Sequence, residues 1–256
     1  MNPDEYTKLE AIEGEHWFYT GKRHIVFDSL RKANALAADR LLVDCGAGTG
    51  RFVREARAQC QAMAVDDHEE SLAIARRQLG DEAVRRGSCV ELPFADGAAD
   101  IVTALDVIEH VEDDARAVRE MTRILKPGGV MVITVPAFQV LWSDWDVILH
   151  HFRRYRREPL RALLTGAGLE VQRCDYINVA AFPAVLALRK WRTLFPQPAA
   201  AQGPRMEEKI PPPWLNRLLF AAFVGPACQT AISFPFGVGL LAVARKPSPP
   251  ATARHP

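Results

Sequence analysis

Three groups of residues in this 256-residue chain have the types and spacings that do chemistry. The first is the run VDCGAGTG, which sets Asp44 ahead of Gly46, Ala47, Gly48 and Gly50. Glycine permits tight turns and lets backbone N–H groups come close to a ligand. Those amides, with the positive end of a following helix, suit a carboxylate or phosphate. Asp66 follows about twenty residues later, where an acid can accept bonds from both hydroxyls of a ribose. The spacing is GxGxG after an aspartate rather than GxGxxG, and such a loop alone does not choose among nucleotide-like ligands.

The second group could move protons or meet an acidic or phosphorylated substrate. His110, in DVIEHVED, and His151, in HHFRRY, have the ordinary pKa of a base working near neutrality. Arg153 and Tyr155 add a cation and a phenol beside His151. Plain packing at a helix start would also account for these residues. The third group is EHWFYTGKR, with His16, Trp17, Phe18, Tyr19 and Arg23. Three adjacent aromatics in a polar segment suit a lid facing substrate, and packing onto a sheet is the alternative.

Positioning these groups requires an alternation of strands and helices. Apolar runs at 41–46, 61–66, 83–89, 100–108 and 130–136 read as five strands, and amphipathic stretches between them read as helices. That alternation implies right-handed crossovers and a mostly parallel sheet covered on both faces. Residues 1–40 read as a helical cap. A helix and a sixth strand fall within 159–178, and a seventh strand falls at 237–246. Residues 41–178 and 237–246 thus form the core. Between its last two strands lies 179–236, two apolar stretches joined by a Pro-, Gln- and Gly-rich linker (196–213). The tail, 247–256, has a disordered composition.

Composition narrows the function. Hydrophobic residues make up 48% and charged residues 25%, and the net charge of +1 does not suit a nucleic-acid-binding surface. Cys45, Cys60, Cys89, Cys174 and Cys228 are odd in number and form no CxxC pair, so neither a disulfide framework nor a zinc site is expected. The polar N-terminus lacks the pattern of a signal peptide, and a cytoplasmic location is the expectation. Oligomeric state is not legible.

Four blocks in order, VDCGAGTGRF, AVDDHEESLAIAR, GSCVELPFADGAADIVTALDVIEHVED and REMTRILKPGGVMVITVP, cover 41–136. In these the chain resembles the class I S-adenosylmethionine-dependent methyltransferases, of the bacterial type-11 and type-12 kind. The resemblance implies a Rossmann-like α/β fold with a seven-stranded, mostly parallel sheet. It also implies S-adenosylmethionine as cofactor and specific roles along the chain. Asp44 and Gly46–Gly50 would hold the methionine part. Asp66 would bind the ribose, with Asp67 beside the adenine. Ser88 and Cys89 would face the adenine edge, packed by Leu92. Leu105 and Asp106 would lie near the sulfonium. Many relatives have Asp where Ser88 stands, and a serine accepts the adenine amino group more weakly. Asp106, Glu109 and His110 are similar to the metal-holding positions of ubiquinone-pathway O-methyltransferases, but Asp106 is shorter than the usual Glu, and no metal is expected.

From Leu218 to Ala244 there is no charge, long enough to raise a membrane span. Gly225, Pro226, Pro235, Gly237 and Gly239 interrupt that run, and its end reads as a strand. Arg189, Lys190, Arg192 and Arg217, with Trp191 and Trp214, flank the apolar stretches as they would in helices lying at a membrane interface. A substrate lid or a dimer surface are the alternatives. The expected activity is methyl transfer to O or N of a small or lipid-linked acceptor, possible at a membrane surface. Two other readings stand: a soluble natural-product methyltransferase with a lid, and an inactive cofactor-binding subunit.

Overall fold

The computed structural model describes residues 3–195, 209–229 and 231–248. Two helices, α1 (Pro3–Ile12) and α2 (Trp17–Lys32), precede the first strand. Then β1 (Leu41–Cys45), α3 (Arg51–Ala56), β2 (Gln61–Asp66), α4 (Glu69–Leu79), β3 (Val84–Arg86) and β4 (Ala99–Leu105) alternate as expected. They lead to α5 (Asp114–Ile124), β5 (Leu125–Pro136), a short α6 (Asp144–Ile148), α7 (Arg157–Gly166) and β6 (Glu170–Ile177). Two insertion helices, α8 (Phe182–Leu194) and α9 (Pro213–Cys228), come before β7 (Gly239–Arg245).

The sheet order is β3-β2-β1-β4-β5-β7-β6, and β7 alone runs antiparallel, pairing with β5 and β6. Its central strands are continuous apolar runs because helices cover both faces. One face buries Val102, Ile133 and Met131 against Met121, Leu160 and Leu164. The other buries Leu42, Ile101 and Val132 against Ile25, Leu30 and Phe52. The carboxyl ends of β1, β2, β4 and β5 therefore lie along one edge, where ligands gather in open parallel sheets.

Three boundaries differ most from the sequence reading. The fourth strand stops at Leu105 rather than reaching residue 108, because Asp106 at φ +56° turns the chain into the Ile108–His110 turn. The third strand stops at Arg86 rather than reaching residue 89. At Gly87 a Cβ would lie 2.5 Å from Pro93, and the chain instead folds into a turn where Ser88 pairs with Glu91. The fifth strand begins at Leu125, because Gly128, with φ +79°, lets the KPGG segment stay paired: Gly128 donates to Lys246 and Lys246 to Gly129.

The insertion divides into two unlike halves. Helix α9 is docked on α2: Phe223 is buried, stacks on Phe18 at 5.9 Å and fills the space left by Gly21. The Asn216 side chain accepts from the Trp17 amide (2.9 Å) and donates to the Glu15 carbonyl (2.9 Å), joining α9 to the start of α2. Helix α8 buries none of its described side chains, and Leu188, Trp191, Leu194 and Phe195 are exposed. Among the described residues no helix is long and apolar enough to cross a membrane. Most of the 196–213 linker and all but the first two residues of the 247–256 tail lie outside the described residues.

Candidate active site

The glycine loop sits between β1 and α3, closed against the end of β2. The amides of Gly46 and Ala47 both donate to the Val65 carbonyl (2.8 and 3.0 Å), and the Gly48 amide donates to the Asp66 carboxylate (2.9 Å). Gly46 (φ +70°) has no room for a side chain, since a Cβ would lie 2.6 Å from Val107. Gly48 (φ +55°) differs: a Cβ there would meet no atom within 4 Å, so the space on that side of the residue is open. Ser71 donates to the Gly48 carbonyl (2.7 Å), and the other Asp66 oxygen accepts from the His68 amide (3.0 Å).

Acidic groups surround this loop. Asp44 is buried at the end of β1 and accepts from Thr103 (2.5 Å). Burial pushes its carboxyl up to about 7, with Asp66 adding to the rise and the Thr103 bond opposing it. Asp67 is exposed beside Asp66 and pairs with His68 (2.6 Å). Ser88 accepts from the Val90 amide (3.4 Å) in the turn after β3, and Cys89 is buried, which pushes its thiol up to about 12. From α1, Tyr6 packs its ring against His68, and Glu13, just after the helix, accepts from Thr49 (2.6 Å). Helix α1 thus lies against the glycine loop and the Asp66 end of β2.

Leu105 and Asp106 end β4. Asp106 has φ +56° and is held by Thr134, which accepts its amide and donates its hydroxyl to the carboxylate (both 2.9 Å). A non-glycine residue in that region is strained, and such positions cluster at functional sites. Lys22, from α2, pairs with the other Asp106 oxygen and lies 4.4 Å from the Phe18 ring centre. Burial pulls the Lys22 ammonium down to about 8, with Glu109 opposing.

Beyond Asp106, the turn Ile108–His110 meets the loop after β5, with the Phe152 amide donating to the Glu109 carbonyl (2.8 Å). The His110 and His151 rings stand edge-on at 4.5 Å. Burial, then His151, pull His110 down to about 4, while a bond to the Leu149 backbone opposes. His151 Nδ1 donates to Asp146 of α6 (2.9 Å). Asp146 is fully buried, yet His151 and a two-pronged Arg154 (2.7 and 3.0 Å) hold its carboxyl well below the usual range. Glu109 is fully buried and neither carboxylate oxygen has a hydrogen-bond partner. Burial pushes it up to about 8, with its own backbone amide, then Lys22 and Arg154, opposing and Asp146 adding.

The structure brings His110 and His151 together and separates their expected companions. Tyr155 is buried, donates to Asp114 (2.7 Å) and Ile108 (3.3 Å), and joins the sheet through Ala137. Burial and Asp114 drive its phenol far upward, so it is a strut rather than a proton acceptor. Arg153 is spent on the same Asp114 (2.8 Å) and on the Glu112 carbonyl (2.6 Å). Arg23 turns away toward Glu55 (3.1 Å) and the Glu13 carbonyl (2.9 Å), and Lys22 faces the site in its place. Trp17 packs on Phe18 and Phe223, Tyr19 on His16 and Phe18, and the buried His16 caps α2 by accepting from Phe18 (3.2 Å).

Among the described residues two sets place three ligand-type atoms within 4.8 Å of one another: Glu109, His110 and His151, and the buried Asp66 with the exposed Asp67 and His68. A cavity of about 500 Å³ lined by Arg57, Gln61, Met63 and Glu82 lies at the opposite, amino end of the strands and contains none of these groups.

The Asp44 carboxyl makes a pH dependence testable. Its folded pKa is raised, so its stabilising contribution is present in acid and is lost as pH rises through about 7. Asp44→Asn should flatten the decline of stability between about pH 4 and 7, measured by denaturant unfolding. An unchanged slope would contradict the buried, proton-holding environment.

A methyltransferase-domain family profile matches residues 43–133. A Mycolicibacterium smegmatis protein named "Probable S-adenosylmethionine-dependent methyltransferase" is 32% identical over 170 residues, covering 66% of this chain and 65% of that one. The chain thus spans just under two thirds of that relative's length. A Pseudomonas paraeruginosa ubiquinone biosynthesis O-methyltransferase is 30% identical over 205 residues, covering 66% of this chain and 83% of that one. Among solved structures, a geranyl diphosphate methyltransferase in complex with S-adenosylmethionine shares the fold, with TM-score 0.59, 18% identity, and 88% and 85% of the two chains covered. Sequence kinship, fold and loop geometry agree, and the chain belongs to the S-adenosylmethionine-dependent methyltransferases.

Proposed function

We propose that the protein transfers a methyl group from S-adenosylmethionine to an oxygen or nitrogen of a small or lipid-linked acceptor. The observation that carries this reading is the shared edge of the sheet. The glycine loop and Asp66 end β1 and β2, and Asp106, Glu109, His110 and His151 gather where β4 and β5 end. The loop suits the cofactor: the space beside Gly48 is open, and Asp66, bonded to the Gly48 amide, lies next to it. Gly46, Ala47, Gly48, Gly50 and Asp44 would hold the methionine part, Asp66 the ribose, and Asp67, Ser88 and Cys89 the adenine, with Leu105 and Asp106 beside the sulfonium. When bound, the cofactor supplies a methyl group already activated by its positive sulfur. What remains for the chain is to align the acceptor, exclude water and take up a proton. The α1 and α2 segment covers the site as a lid, and His110 and His151 face the acceptor, with Asp146 holding the His151 ring.

Incubation with methyl-labelled S-adenosylmethionine and fractionated cell lysate, in the presence of EDTA, tests the activity. Label should enter a lipid or small-molecule fraction. Label confined to macromolecules contradicts the acceptor class. No transfer to any fraction contradicts the activity and favours a cofactor-binding subunit. Turnover lost in EDTA and restored by magnesium would make Glu109, His110 and His151 cation ligands.

The insertion supports an acceptor reached at an anionic membrane surface. The insertion, residues 179–236, carries Arg189, Lys190, Arg192, Arg205, Lys209 and Arg217 against Glu207 and Glu208, a net positive charge. Trp191 and Trp214 are 58% and 68% exposed, beside Leu194 and Leu218. Each cation near such a surface is worth about 1 kcal/mol, and exposed aromatics settle at its interface. The native protein should float with anionic vesicles and not with neutral ones, and replacing Trp191 and Trp214 by serine should release it. A protein that stays in solution as a tight homodimer would assign the face to self-association or a lid.

A further inference from the structure

Glu109 is the one fully buried carboxylate of this site with both oxygens unpaired, and the other ionic groups around it are already engaged. Asp146 is shared by His151 and Arg154, Asp106 by Lys22 and Thr134, and Asp114 by Arg153 and Tyr155. A carboxylate out of water without partners is costly, and such a group in a native fold calls for a ligand or a chemical role. One Glu109 oxygen and one ring nitrogen from each of His110 and His151 lie within 4.8 Å of one another. Three atoms so spaced admit a point no more than about 2.8 Å from all three (4.8 Å divided by √3), the length of an O–H···O hydrogen bond. That point lies past Asp106, on the same edge of the sheet as the glycine loop.

We propose that Glu109 is a catalytic residue, the proton acceptor for a hydroxyl group of the methyl acceptor, seated between His110 and His151. This rests on the methyl-transfer reading above and narrows it to O-methylation of a hydroxyl compound. A neutral hydroxyl is a poor nucleophile, so a site for it has to collect a base, whereas an uncharged amine needs none before it attacks. In the step, the acceptor's O–H bond breaks and its proton forms an O–H bond on the Glu109 carboxylate. The electron pair stays on the acceptor oxygen, which then has the charge to take the methyl group. The histidines complete the seat: the His151 Nδ1–H is turned to Asp146, which leaves its other ring nitrogen as an acceptor, and His110 is pulled toward its neutral form. Lys22, paired with Asp106 close by, opposes the burial that pushes the Glu109 carboxyl up to about 8, so the group serves as a base at mildly alkaline pH. Asp146 acts through His151 and is a positioning residue.

The test compares the native protein with Glu109→Gln, which keeps size and shape, and with Glu109→Asp, which keeps the carboxylate. The first probe is phenol, added at about pH 9, where Glu109 is ionised and the free compound is still largely protonated, with absorbance reporting the phenolate. Native protein should generate the bound phenolate band, Glu109→Gln should lose it, and Glu109→Asp should retain part of it. The second readout is labelled transfer to lysate. Its product should be stable to alkali and not retained on a cation exchanger, as expected for an ether, and Glu109→Gln should reduce it at least 100-fold. S-adenosylhomocysteine affinity should be the same in all three proteins. No phenolate band with native protein, an unchanged band in Glu109→Gln, or an alkali-labile or cationic product overturns the assignment. Failure of native protein to bind S-adenosylhomocysteine would instead remove the methyltransferase reading beneath it.

Discussion

The fold depends on one short clasp: the amides of Gly46, Ala47 and Gly48 turned onto the end of β2, at the Val65 carbonyl and the Asp66 carboxylate. It closes β1 onto its neighbour just where the chain must reverse into α3, and the loop leaves no room for a side chain at Gly46 or Gly50. Gly46 lies against Val107 and Gly50 against Leu79 and Ala75, both at positive φ. Any larger residue would push the loop away from β4 or α4. The clasp sets Asp66 beside the open space at Gly48, so the geometry that completes the sheet edge also shapes the cradle for an adenosyl ligand.

Charge commitment explains the remainder of the site. Of the cations in EHWFYTGKR and HHFRRY, Arg23, Arg153 and Arg154 are each held by a carboxylate and a backbone carbonyl. They brace the loops and are not available to a ligand. Once those pairs form, the groups at the sheet edge are Lys22 with Asp106, the two imidazoles, and Glu109. Two loops from different parts of the chain, after β4 and after β5, are stitched by the Phe152 to Glu109 bond and packed by Tyr155. The same inner-edge geometry joins the insertion to the site, because α9 holds α2 through Phe223 and Asn216, and α2 carries Lys22.

The α/β alternation was legible because each central strand is an apolar run that ends in polar or glycine residues, and period and length distinguish it from the helices. The glycine loop and Asp66 were legible for a similar reason, as backbone geometry there demands specific residue types. Side-chain direction was not. Lys22 and Arg23 are adjacent on a helix, about 100° apart around its axis, and the pattern does not say which one meets the end of β4. HHFRRY is an irregular loop, so its members need not share a face, and His151 turns inward while Arg153 and Tyr155 meet Asp114. Asp146 gave no sign, being one acid in an ordinary SDWD segment whose burial comes only from the folded loop. Glu109 was visible only through a metal-like pattern with Asp106 and His110, whereas the structure seats it with His110 and His151, a pairing across 41 residues of His-to-His separation that no local pattern encodes. The overlong third strand failed at Gly87, where packing against Pro93 decides the turn.

Calorimetric titration of the native protein with S-adenosylhomocysteine, alongside NADH, measures directly what the glycine loop and Asp66 hold. Binding at micromolar affinity, about −8 kcal/mol, is predicted for S-adenosylhomocysteine. Asp66→Ala should weaken it by roughly 2 kcal/mol, since the ribose hydroxyls would lose their acceptor. NADH should give no binding heat. Tight NADH binding without S-adenosylhomocysteine binding, or an Asp66→Ala variant with full affinity, would contradict the assignment of this cradle to an adenosyl methyl donor.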